Sequence, residues 1–267
     1  MIKIGTIGCG NMASAILRGA AKGMPGQFAF YGCDPHPEKL AALSDISLTP
    51  LPSAADTARC CDYLLLAVKP QSFPAVAREL KIAGERDKVY LSIMAGISAN
   101  ALKDALGFDA RLCMIMPNTP LMVGMGATVM AAVEPLSREE FETARAIFSC
   151  AGLVQEVVAD QLNDVIPLNG SSPAFIYEFA RGFLRYGEEA GFSAETALAL
   201  FCQSLRGAAE MLEHSGMDAE ELIRMVSSKG GTTIAGLTAF EEGGLQQTID
   251  LCCQRCVERA RELAEGK

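Results

Sequence analysis

Gly8-Cys9-Gly10-Asn11-Met12-Ala13 follows the apolar run Lys3 to Ile7 directly and opens a helical stretch, and no other feature of the chain narrows the choice of fold as far. The pattern is G-x-G-x-x-A between a strand and a helix. There the first glycine permits a tight turn and the second lets the backbone approach a pyrophosphate. The alanine keeps the helix close to the sheet while its amino end faces the phosphates. Gly8, Gly10, Asn11, Met12 and Ala13 are therefore expected to hold a dinucleotide, on a Rossmann-type doubly wound α/β sheet.

The rest of the first half agrees with that frame. Short apolar runs at Gln27–Cys33, Tyr63–Val68, Lys88–Ile93, Arg111–Met116, Ala127–Ala132 and Leu153–Val157 read as further strands. Helical stretches alternate with them at Asn11–Lys22, Pro37–Leu43, Ser53–Cys60, Ser98–Leu106 and Ser137–Cys150. Such alternation marks a parallel sheet wrapped by crossover helices. Ser53, Ser98 and Ser137 suit helix caps, the last with Glu140 three residues on as a capping box. After Asp160 the β-branched runs stop, and long amphipathic stretches follow at Ala174–Ala190, Ala194–Ser215 and Leu245–Ala264. Two domains are expected: a dinucleotide-binding domain over residues 1–158 and an all-α domain over 159–267 that binds substrate and dimerises.

Loops at the carboxyl ends of the strands are where such sheets bind ligands. The second strand leads into Asp34-Pro35-His36, and Asp34 lies 24 residues beyond Gly10, where an acid can bond the free ribose 2′-hydroxyl of NAD. His36 and Lys39 follow closely and can instead hold the 2′-phosphate of NADP, so the loop leaves both cofactors open. Val68-Lys69-Pro70 and Asn118, within Met116-Pro117-Asn118-Thr119-Pro120, are expected to flank the nicotinamide. In the second half, Ser227-Ser228-Lys229-Gly230-Gly231-Thr232-Thr233 is a glycine and hydroxyl turn ahead of a helical run, suited to a carboxylate.

Bulk properties remove several alternatives. Half of the 267 residues are hydrophobic and 21% are charged, which describes a globular protein. Twenty-three basic residues against 32 acidic ones give a formal charge of -9 with no basic cluster, which argues against nucleic acid as a partner. No segment approaches the roughly 20 apolar residues of a membrane span, and no signal core is visible, so a cytoplasmic protein is expected. The ten cysteines lack the spacing of a disulfide framework. Cys253 and Cys256 form a C-x-x-C inside a helical run without further ligands nearby, and no metal is expected. Neither of the two histidines, His36 and His214, is placed as an acid catalyst.

Taken with Ala219, Leu222, Val226, Gly236, Leu237, Phe240 and Glu241, the hydroxyl turn resembles the signature of pyrroline-5-carboxylate reductases. The likeness extends to Gly8–Met12, Val68–Pro70, Met116–Pro120 and Gly170–Ala174, and so covers essentially the whole chain. It implies hydride transfer from NADPH, or NADH, to C5 of 1-pyrroline-5-carboxylate, giving L-proline. It also implies that Thr233 bonds the ring nitrogen while Ser228, Gly230, Gly231 and Thr232 hold the carboxylate. Homodimers through C-terminal helices, assembled as far as a decamer, are implied as well. Lys229 stands where many relatives have proline, and Asp34 sets the usual NADPH preference against the NAD reading. The competing activities are a β-hydroxy acid dehydrogenase, which needs a lysine in the first long helix of the second half, and a non-catalytic NAD(P)-binding redox sensor. Ala174–Ala190 holds Arg181 and Arg185 but no lysine.

Overall fold

The computed structural model describes residues 1–264. Contacts gather these into one unit of Met1–Pro173 joined by the chain from Cys256 onward, and a second of Ala174–Arg255. The β-branched runs stop before 159, and by compactness the first unit continues to Pro173.

In the first unit the order is β1 (Ile2–Ile7), α1 (Asn11–Gly23), β2 (Phe28–Cys33), α2 (Pro37–Ala41), β3 (Thr49–Pro50), α3 (Ala54–Cys60), β4 (Tyr63–Leu66), α4 (Phe73–Ala83), β5 (Val89–Ser92), α5 (Ala99–Leu106), β6 (Arg111–Met116), β7 (Gly126–Val133), α6 (Arg138–Ser149) and β8 (Gly152–Glu156). The strands form one sheet in the order β3-β2-β1-β4-β5-β6-β7-β8. All neighbours are parallel except β6 and β7, which run antiparallel. The reversal follows from the connection: only a short 3-10 turn, Thr119–Val123, joins β6 to β7, and a parallel pairing needs a crossover of a dozen residues or more. Every residue of β4 is buried, as expected of a strand covered on both faces.

Alternate side chains of these strands feed two cores. On one face Ile4, Phe30, Leu65 and Leu91 pack with Ile16 and Leu17 of α1 and Phe141 and Phe148 of α6. On the other, Ile7, Leu64, Leu66 and Tyr90 pack with Phe73 and Leu80 of α4 and Leu102 and Leu106 of α5. The caps at Ser53, Ser98 and Ser137 form as expected, the last with its capping box complete. Helix α4 is not among the expected helical stretches, although Pro74 fits a first helical turn.

The helical chain comprises α7 (Ser172–Glu189), α8 (Ala194–His214), α9 (Ala219–Met225), α10 (Thr232–Glu242) and α11 (Leu245–Ala264). Helix α9 went unmarked, although Asp218 and Glu221 form a legible capping box. Phe179, Phe183, Phe201 and Phe240 cluster here, with Phe183 stacked on Phe201 at 4.9 Å between ring centres. Yet α8, α9 and α10 contain no fully buried residue, and Tyr177 and Tyr186 are 63% and 67% exposed. Apolar helix faces left this open in one chain are the mark of an interface.

Candidate active site

The two glycines of the first turn do different work. Gly8 has φ +93°, and a Cβ there would lie 2.7 Å from the carbonyl oxygen of Ala67, because β1 and β4 end side by side. Its N–H donates to the Cys33 carbonyl at 2.9 Å, and its own carbonyl accepts from the Thr6 hydroxyl at 2.7 Å. Gly10 has an ordinary φ of -73° and stands at the N-cap of α1 with no side-chain cap. A Cβ there would meet nothing within 4 Å. Glycine at position 10 is thus not required by the chain itself; it keeps clear the approach to an uncapped helix tip, where backbone N–H groups and the helix dipole favour phosphate. Ala13 is buried against the sheet, whereas Asn11 is exposed and Met12 half-buried beside the tip. The buried thiol of Cys9 is pushed up to about 12 by desolvation and the neighbouring Asp34, so it stays protonated and is no nucleophile.

Asp34, just past the end of β2, is held by the chain itself. Its carboxylate accepts the Cys9 N–H at 2.8 Å and the His36 N–H at 2.9 Å, and it is 5% exposed. It therefore ties the end of β2 to the glycine turn. His36 is exposed beside Glu38, and Lys39 brings its Nζ to 3.5 Å from Asp34. On the other side of β1, Val68 is half-buried, Lys69 is exposed, and Pro70 begins a 3-10 turn past the end of β4.

Asn118, in the loop after β6, is likewise held by the chain itself. Its side chain is buried, donating to the Asn169 carbonyl at 3.2 Å and accepting from Ala127 N–H at 2.9 Å. Asn169 donates in turn to the carbonyls of Met116, at 2.8 Å, and Ala127, at 3.2 Å. These two amides lock the loop after β6, leaving its backbone for a ligand. Sequence reasoning quoted the Gly170–Ala174 motif but passed over Asn169 immediately before it; an asparagine ahead of glycine was the available signal. Thr6 was missed because a threonine inside a strand carries no local sign of function.

In the helical unit, Gly230 has φ +74° and Gly231 is the N-cap of α10, again without a side-chain cap. The Gly231 N–H donates to the Ser228 carbonyl at 2.9 Å, closing the turn. A Cβ on Gly231 would lie 2.5 Å from the Ser228 hydroxyl oxygen and 3.0 Å from its carbonyl oxygen, so a larger residue would turn that hydroxyl aside. Ser228 and Thr232 are exposed, Thr233 is half-buried, and the buried Ser227 hydroxyl has no partner. The turn thus gathers Ser228, Gly230, Gly231, Thr232 and Thr233 at one helix tip with unclaimed N–H groups, an arrangement that can take a carboxylate.

Residues 159–263 match the family model described as pyrroline-5-carboxylate reductase dimerisation, and residues 3–96 match one described as NADP oxidoreductase coenzyme F420-dependent. Among curated proteins, the chain is 32% identical over 99% of both chains to the pyrroline-5-carboxylate reductase of Escherichia coli K12. It is 33% identical to that of Pisum sativum, over 98% of this chain and 96% of the relative. Among solved structures, it resembles a Plasmodium falciparum pyrroline carboxylate reductase with NADP bound, with a TM-score of 0.89, 25% identity and 98% of each chain covered.

Proposed function

The chain belongs to the pyrroline-5-carboxylate reductase family, and from that premise we propose that it catalyses the NADPH-dependent reduction of 1-pyrroline-5-carboxylate to L-proline. The observation that carries the reading is the uncapped tip of α10, where glycine and hydroxyl residues converge without a titratable acid catalyst among them. Imine reduction suits such a site. A protonated C=N already carries the charge that draws hydride to carbon, so the protein needs to position the ring rather than donate a proton.

Ser228, Gly230, Gly231 and Thr232 anchor the carboxylate through backbone N–H groups and a hydroxyl. Thr233 acts as the catalytic residue, its hydroxyl bonding the ring nitrogen and orienting C5. At the other helix tip, Gly8, Gly10, Asn11, Met12 and Ala13 seat the pyrophosphate, with Asp34 and His36 toward the adenosine ribose and Val68, Lys69, Pro70 and the Asn118 loop toward the nicotinamide. The residues fit the dinucleotide because the space before Gly10 is open and its helix tip is unclaimed. When bound, the reduced nicotinamide supplies the hydride.

The protein is a homo-oligomer, and a second copy laid on the open apolar faces of the helical unit makes it a homodimer. We propose further assembly of dimers, as far as a decamer, and a cytoplasmic setting suited to ten unpaired cysteines. The activity is tested by incubating the purified protein with 1-pyrroline-5-carboxylate and NADPH. Loss of the reduced-nicotinamide absorbance should match proline formed mole for mole; cofactor binding without proline would favour the redox-sensor reading instead.

A further inference from the structure

Asn169 is 4% exposed, and both N–H bonds of its side-chain amide are committed, to the Met116 carbonyl at 2.8 Å and to the Ala127 carbonyl at 3.2 Å. Met116 ends β6 and Ala127 stands at the start of β7, so one side chain clasps the two ends of the segment between these strands. The Asn169 backbone carbonyl takes a further bond from within that segment, from the Asn118 amide. The Asn169 side-chain oxygen, however, is buried without a partner. A buried acceptor left unpaired opposes folding, so packing alone does not explain an amide at this position. What the amide supplies is a pair of donors at fixed spacing. The segment has little else to hold it: Leu121 is buried, but Met122, Val123 and Met125 are exposed.

We propose that Asn169 is a positioning residue for hydride transfer, acting through the Met116 and Ala127 carbonyls to set the loop after β6 that borders the nicotinamide. This rests on the activity proposed above, in which that loop lies toward the nicotinamide. Hydride moves when the donor and acceptor carbons sit about 3–3.5 Å apart, and a misplacement of about 1 Å costs on the order of a hundredfold in rate. The pyrophosphate seat is separate: among the described residues Asn169 makes no hydrogen bond to the Gly8–Ala13 turn. Loss of the clasp therefore acts on turnover and leaves cofactor affinity in place.

Asn169→Ala removes both donors and keeps the backbone carbonyl that Asn118 uses. Its kcat, corrected for the folded fraction, should fall roughly ten- to a hundredfold while the Kd for NADPH stays within about twofold. The isotope effect on kcat with NADPH deuterated at C4 should rise, because the hydride step becomes the slow one; a purely structural role would lower Tm and leave that effect unchanged. Asn169→Ser, which keeps one donor, should turn over at a rate between the two. Wild-type kcat in Asn169→Ala, or a loss of kcat matched by an equal loss of NADPH affinity, would overturn the role. Should the alanine variant not fold, a serine variant as fast as the wild type would overturn it as well. A wild-type protein that oxidises no NADPH with the imine would overturn the activity and this role together, whereas an active wild type with an equally active variant removes the role alone.

Discussion

Substituting alanine at each glycine of the first turn separates folding from binding. At position 8 the added Cβ meets the Ala67 carbonyl oxygen at 2.7 Å and its carbon at 2.9 Å, and the backbone there has φ +93°. Holding a non-glycine residue at such a φ costs about 1–2 kcal/mol. Displacing a neighbouring strand end adds about 1–3 kcal/mol of overpacking. Gly8→Ala should therefore lose roughly 2–5 kcal/mol, a large share of the ~5–15 kcal/mol that keeps a protein folded. At about 2–4 °C per kcal/mol for a unit of this size, Tm should fall by roughly 4–20 °C. At position 10, φ is -73° and the methyl meets nothing, so Gly10→Ala should cost at most about 1 kcal/mol, from a poorer N-cap. The same methyl stands where the pyrophosphate must approach, and a comparable overpacking of about 1–3 kcal/mol raises the Kd for NADPH roughly 5- to 150-fold. Thermal melts are best followed by circular dichroism, since the chain has no tryptophan, and binding by the fluorescence of NADPH. A Gly10→Ala protein that binds NADPH like the wild type would refute the role given to that tip; a Gly8→Ala protein with an unchanged Tm would refute the packing argument.

Other consequences are open to measurement. Thr233→Val removes the hydroxyl while keeping the shape, and should lower kcat for the imine on the order of tenfold or more with NADPH affinity unchanged; equal turnover would remove Thr233 from the mechanism. Tyr186→Glu places a charge on an open face of α7 and should shift the protein toward monomer in sedimentation, whereas an unchanged oligomer would put the interface elsewhere. Glu140 is partly desolvated, which alone would raise its pKa, but bonds from Ser137 and Arg111 hold it below the usual carboxylate value. Its contribution is present above the unfolded value of about 4.3 and is lost as pH falls through the lower folded one. Glu140→Gln should accordingly flatten the acid side of the urea-midpoint curve, and a curve parallel to the wild type would discount the bonds.

Much of the fold was legible because its signals are local. The glycine turn, the serine caps and the apolar runs each announce themselves within a few residues, and the strands they imply appear where expected. The antiparallel β6–β7 pairing was not legible, since the strand direction depends on a connection whose path the sequence does not display. The same limit applies to side chains. Asp34 and Asn118 sit in the expected loops, but nothing in their neighbours' identities reveals that the carboxylate would turn to Cys9 N–H or the amide to Asn169. Those are contacts over 25 and 51 residues of chain. The resemblance implied a dimer through the C-terminal helices, and the open helical faces agree with it, but neither says which residues meet.

The account turns on direct delivery of hydride to the ring carbon of a cyclic imine, and isotope transfer reads that step most directly. With NADPH carrying deuterium at both C4 positions, the proline formed should hold one deuterium at C5 by mass spectrometry and none elsewhere. Unlabelled proline, or deuterium appearing in a product other than proline, would contradict it.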